Sequence, residues 1–240
     1  AGLTGFAATA LPAATDEPAL TILFHVRPPY SEYDAAHLPS GLLVAPVEAA
    51  LAKAGLGATW IEMPPVRQTE EIKRSSAAVC GLGWFKRPER EAFALFSQPI
   101  YRDQPPVVVA RKDDDRFADE VSLEASFRDT SRELLVKTGY SYGATIDDWI
   151  KELQPRAETS SGANDVLLGM VAFKRADYAI MAPEEADRLL STEPELGKAL
   201  RAVPLSDAPA GEPRYLMCSK ATPPDIIERI NQGLPAITAQ

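Results

Sequence analysis

The sequence predicts an α/β protein of two lobes, each a mainly parallel sheet flanked by helices. Three observations carry this. Short apolar, β-branched runs alternate with amphipathic stretches, the pattern of βαβ units. The alternation fills two such units and leaves a last strand and helix too small to stand alone. The 240 residues exceed an average domain and suit two. The final strand and helix are therefore expected to return to the first unit, so that two crossover strands join the lobes. Lobe 1 is placed at 18–104 plus 212–240, lobe 2 at 105–211, and an N-terminal extension at 1–17.

In chain order, ALTILFHV (19–26) reads as the first strand and RPPYSEYDAAHLPSG as a loop, because prolines and turn formers break regular structure. VAPVEAALAKA (44–54) is a helix ended by Gly55. ATWIEM (58–63), helical TEEIKRS (69–75) and AAVCGLG (77–83) complete β-α-β-α-β. Pro88 opens a helix, since proline fits the first helical turn. PVVVARK (106–112) starts the second unit. It continues with ELLVKT (133–138), a helix TIDDWIKEL with a Thr145-x-x-Asp148 capping signal, amphipathic 162–174, strand ADYAIM (176–181) and a helix from Pro183. RYLMCSK (214–220) and PPDIIERINQGL close the chain.

Composition narrows the function. Hydrophobic residues at 45% and charged residues at 25% exclude disorder. No apolar run reaches the roughly 18 residues of a membrane span. A net charge of −9 offers no basic face to nucleic acid. Two cysteines and two histidines, without metal-ligand spacing, imply neither metal nor cofactor. Cys80 and Cys218 fall on strands that the double crossing would make neighbours; a bridge closing about 138 residues is then allowed, with two buried free thiols as the alternative. The Ala-rich opening AGLTGFAATALPAATDEPA fits the remainder of a processed export signal or an appended segment.

Three junctions run from strand through a short loop into a helix N-terminus: CGLG-WFKR-PER, LVKT-GYSYG-ATIDD and AIMA-PEEAD. Ligands of open α/β sheets bind outside such strand ends, where free helix N–H groups favour anions. Arg90 suits a carboxylate through two parallel bonds, with Trp84 and Phe85 as flat apolar surface beside it. GYSYG fits the G-x-S-x-G elbow of hydrolases, but no histidine follows Ser141 to serve as its base. Ser141 and Tyr142 are instead candidates for ligand contacts. Tyr30 in RPPY is a candidate stacking ring, and Arg67 a second cation. Glu184 and Glu185, on the first turn of a helix, are candidates for a ligand cation, with stabilisation by the dipole as the structural alternative.

Several collinear stretches carry a resemblance: RPPY, GWFKRPEREAFALFSQPIY, PVVVARK, TGYSYG, MVAFKRADYAIM and CSKATPPDIIERIN. From about Leu20 to Leu234 the chain resembles the type II periplasmic solute-binding proteins of family 3, the amino-acid-binding-like branch of ABC transport. The resemblance implies two lobes closing on a small ligand. It places a stacking aromatic at Tyr30, a carboxylate clamp at Arg90 and a hydroxyl of the second lobe at Ser141. The acidic residue for an α-amino group would stand near 182, where this chain has Ala182; Glu184 is the neighbouring acid. The expected protein is a periplasmic, monomeric, non-enzymatic binder of an anionic or zwitterionic small molecule that serves a membrane permease of an ABC transporter. A sensing module of a receptor and a dehydratase-like enzyme on the same fold are the alternatives.

Overall fold

Thirteen strands and nine helices order the described residues, 20–237, of the computed structural model. The extension assigned to 1–17 lies outside them. The first part comprises β1 (Leu20–Phe24), β2 (Glu32–Tyr33), β3 (Pro39–Ser40), α1 (Val44–Ala54), β4 (Ala58–Glu62), α2 (Pro65–Arg74), β5 (Val79–Trp84), α3 (Pro88–Glu91), β6 (Ala94–Phe96) and β7 (Tyr101–Arg102). The second comprises β8 (Val107–Arg111), α4 (Leu123–Arg128), β9 (Leu134–Lys137), α5 (Ala144–Leu153), β10 (Ala157–Ser160), α6 (Asn164–Ala172), β11 (Tyr178–Met181), α7 (Pro183–Thr192), α8 (Pro194–Ala199) and β12 (Leu200–Val203). β13 (Pro213–Ser219) and α9 (Pro224–Gly233) end the fold.

One sheet runs β4-β1-β5-β13-β6, with β7 also on β13; the other runs β10-β9-β11-β8-β12. β13 thus returns to the first sheet, and each sheet makes a lobe. β4, β1 and β5 are parallel, as are β10, β9 and β11. The strands beside the crossings run antiparallel: β13 against β5 and β6, β8 against β11 and β12. Both faces of each sheet are covered. Leu20, Ile22 and Phe24 of β1 pack into one cluster with residues of α1 and α9, whereas Leu23 packs with Ile72 of α2. That is the two-residue period of a strand, and burial on both faces makes it read as an unbroken apolar run.

Local departures from the sequence reading have physical causes. The helix opened by Pro88 lasts four residues and gives way to β6, which finds a partner in β13. β10 has the polar sequence AETS and borders its sheet, where neither face needs apolar cover. The Thr145-x-x-Asp148 signal does not cap α5. Gly143 is its N-cap, and Asp147 accepts bonds from the Ser141 hydroxyl and from the Tyr142 N–H at 2.8 Å.

The crossings lie side by side. Asp103 N–H donates to the Glu212 carbonyl at 3.0 Å, and Arg214 grips Asp103 through two bonds of 2.6 Å. A Cβ on Gly211 would fall inside the Asp103 carbonyl oxygen, so only glycine lets the two segments approach this closely. Cys80 and Cys218 face each other across β5 and β13 and are bonded, with an S–S distance of 2.04 Å.

The bridge closes a loop of 138 residues. Reduction is expected to lower unfolding stability by up to about 5 kcal/mol in the chain-entropy limit. Denaturant titrations with and without a thiol reductant check this; coincident curves would contradict it. Gly211→Ala is expected to destabilise by roughly 1–3 kcal/mol through overpacking, read by thermal melting.

Candidate functional site

Two adjoining cavities lie where the edges of the two sheets meet. The larger spans about 800 Å³ and the smaller about 410 Å³, each figure including the open solvent at its mouth. They share Arg27, Phe85, Tyr140, Ser141 and Arg214, so they adjoin across these side chains, and the two together are called the cleft. Arg27 and Phe85 follow the carboxyl ends of β1 and β5, and Arg214 stands on β13. Tyr140 and Ser141 occupy the loop between β9 and α5.

Side chains from the two lobes meet across the cleft. Arg27 donates Nε and Nη2 to the Glu185 carboxylate at 2.7 and 2.5 Å, an ion pair whose members are 12% and 2% exposed. Asn164 donates to the same carboxylate at 2.7 Å and accepts from Lys137 Nζ at 2.6 Å. His25 Nε2 lies 2.8 Å from the Tyr140 hydroxyl. Arg87 forms two bonds to Glu212, which also accepts the Ala144 N–H at the start of α5.

The residues singled out in the sequence are distributed unevenly over this geometry. Arg90, Trp84, Phe85 and Ser141 all line the smaller cavity. Arg90 donates Nη1 to the Phe85 carbonyl at 2.9 Å and lies 4.8 Å from the Trp84 ring, whose Nε1 donates to Gln68. Gly81 makes room for this indole: a Cβ there would lie 2.5 Å from Trp84 Nε1. Tyr142 lines the larger cavity; its buried phenol accepts the Lys137 N–H at 2.8 Å and is pushed up to about 12, chiefly by burial. Ser141 donates its hydroxyl to Asp147, and His25, although it lines the same cavity, is bonded to Tyr140. The elbow-like sequence thus has no Ser–His pair.

Three candidates stand apart from the cleft. Tyr30 is fully buried in the first lobe, flanked by Tyr101 and Arg27, and donates to Glu184 at 3.1 Å. It lines neither cavity, so its ring has no free face for stacking. Glu184 accepts from Tyr30 and from Tyr101, the latter at 2.7 Å; its neighbour Glu185, one helical step round, faces the cleft instead. Arg67 is exposed on α2 and also lines neither cavity.

Arg27, Lys137, Tyr140, Asn164 and Arg214 were not among the sequence candidates. A period-two signal was present: His25 and Arg27 sit two apart at the end of β1, and Lys137 is the last residue of β9. Burial pushes the Lys137 ammonium down to about 8, with Glu185 and Asp165 opposing and Arg27 assisting. Arg90 is lowered, first by burial. Neither Arg90 nor Lys137 forms an ion pair with a carboxylate among the described residues.

The family model of the bacterial extracellular solute-binding proteins, family 3, matches residues 20–240. No curated protein matches the chain by sequence. Solved structures do match in shape. An ancestral arginine-binding protein bound to arginine superposes with a TM-score of 0.72 at 17% identity, over 90% of this chain and 91% of that one. The holo arginine-binding protein ArgBP from T. maritima gives 0.68 at 17%, over 90% and 88%. A structure concerned with glutathione import through GshT and the cystine ABC importer TcyBC of Streptococcus mutans gives 0.70 at 15%, over 90% and 87%. At these identities the likeness is one of fold.

Burial, then the charges of Arg27, Lys137 and Arg214, push His25 down from 6.5 to about 3. The unfolded chain takes up this proton near 6.5 while the folded chain does not, so stability is lost as pH falls below that value. The His25 ring is expected to keep its neutral NMR shifts from about pH 7 to about pH 4.5, and His25→Gln to flatten the acid-side fall in melting temperature. A ring that titrates near 6 would contradict this.

Proposed function

We propose that this chain, which belongs to the bacterial extracellular solute-binding proteins of family 3, captures a small carboxylate-bearing ligand between its lobes, outside the cytoplasm, and hands it to an ABC-type permease. The lobes divide at 104/105 and 211/212 in this reading, next to the paired crossings around Asp103 and Gly211. The observation that carries it is the placement of Arg90 and Ser141, one from each lobe, on a single cavity. Arg90 is half-buried and forms no ion pair with a carboxylate among the described residues. A guanidinium taken from water without a counter-charge is costly, and an incoming carboxylate relieves that cost through parallel bonds.

Binding and closure are then coupled. A ligand touching both lobes binds the closed form more tightly and shifts the population towards it. Arg27–Glu185, His25–Tyr140, the bonds of Tyr30 and Tyr101 to Glu184, and Glu212–Ala144 are among the interlobe bonds of that closed form. A ligand ammonium meets no free carboxylate in the cleft: Glu185 is held by Arg27, and Ala182 stands where an acid is expected. This favours an anion over a zwitterion.

Thermal-shift screening against carboxylates, amino acids and polyamines, followed by calorimetric titration, tests the reading. Carboxylates are expected to raise the melting temperature. Arg90→Ala is expected to weaken binding roughly ten- to a hundredfold, the worth of a charge-assisted bond, and Ser141→Ala less. Unchanged affinity in Arg90→Ala, or stabilisation by polyamines alone, would sink it.

A further inference from the structure

The charges of the cleft do not balance, and the imbalance carries information about the ligand. Three carboxylates line the two cavities: Asp103, Glu185 and Glu212. Each is committed: Asp103 to Arg214, Glu185 to Arg27 and Asn164, Glu212 to Arg87 and the Ala144 N–H. Two cations remain. Of the two cavities, Arg90 lines the smaller and Lys137 the larger, with Arg27, Phe85, Tyr140, Ser141 and Arg214 common to both. Lys137 spends one of its three donors on Asn164 and rests 4.3 Å from the Tyr140 ring centroid. The cleft therefore presents two cations without an ion-pair partner among the described residues, one in each cavity, Lys137 opposed at longer range by Glu185 and Asp165 and Arg90 by Glu89 and Asp147, with Phe85 and Tyr140 lining both cavities.

We propose that the cleft is built for a dianion carrying two separate carboxylates, one held by Arg90 and the other by Lys137, with its carbon frame against Phe85 and Tyr140. The proposal rests on the reading of a carboxylate ligand given above and adds Lys137 as the residue that selects for the second charge. A single compact anion such as phosphate places its charge on one centre and meets only one of the two cations. A planar guanidinium suits the inner carboxylate, and a point charge on a flexible stem suits a terminal group whose position varies with chain length.

Calorimetric titration of the purified protein with succinate, glutarate, adipate and terephthalate, beside their monomethyl esters and beside glutamine, tests this. At least one diacid is expected to bind roughly tenfold or more tightly than its own monoester, a comparison that needs no variant. Lys137→Met is expected to bring that diacid down to the level of the monoester, and Lys137→Arg to restore part of the difference, with melting curves confirming that both variants fold. Equal binding of diacid and monoester, a preference for glutamine, or a diacid affinity indifferent to Lys137→Met would overturn the proposal while leaving the carboxylate reading in place. Failure of every acid to bind, or binding indifferent to Arg90→Met, would overturn both.

Discussion

The ion pair between Arg27 and Glu185 is the constraint on which the cleft depends. It joins the end of β1 to the first turn of α7, and so one lobe to the other, with both partners largely withdrawn from water. Buried pairs of this kind add little net stability over apolar packing, because desolvation offsets the attraction. Their value is positional: two bonds with fixed directions admit one mutual arrangement of the groups that carry them. The pair also settles which charges of the cleft are already taken. It occupies Glu185, whose carboxylate accepts in addition from Asn164, the acceptor of Lys137 Nζ.

The two lobes and their double crossing were legible in the sequence because the central strands β1, β5, β8 and β11 are buried on both faces and stand out as apolar runs. β10 was not, since a polar border strand has no such signature. Of the site, Arg90, Trp84, Phe85 and Ser141 were legible as residues at strand ends and helix starts. Arg27, in the loop after β1, and Lys137, last residue of β9, carry no motif that separates an inward-facing cation from a solvated one. Tyr30 and Glu184 were misplaced for a related reason. Neither a loop nor the first turn of a helix says from sequence which of two neighbours turns inward, and here Tyr30 faces the core and Glu185, not Glu184, faces the cleft. Arg214 could be seen as a site residue only once β13 had been laid beside β5.

The loop between β9 and α5 shows how little backbone is needed to present several groups at once. Asp147 reaches back to hold Ser141 and Tyr142, and the Tyr142 hydroxyl accepts from the strand it has just left. Tyr140, between them, is free to face His25 in the other lobe. A sequence that mimics a nucleophile elbow is thus put to a different use: its serine is tied to a carboxylate and its first tyrosine bridges the lobes.

The link between Cys80 and Cys218 has a consequence for how the molecule is assembled. Every residue of the second lobe is synthesised between the two sulfurs, so the first lobe can be sealed only after the second has emerged in full. Covalent locking therefore follows synthesis of the whole second lobe, and it requires an oxidant in the compartment where the polypeptide folds. A protein kept in a reducing milieu would hold its last strand through its ladder bonds, the packing of Leu216 and Met217 and the Arg214–Asp103 pair, without the covalent tie.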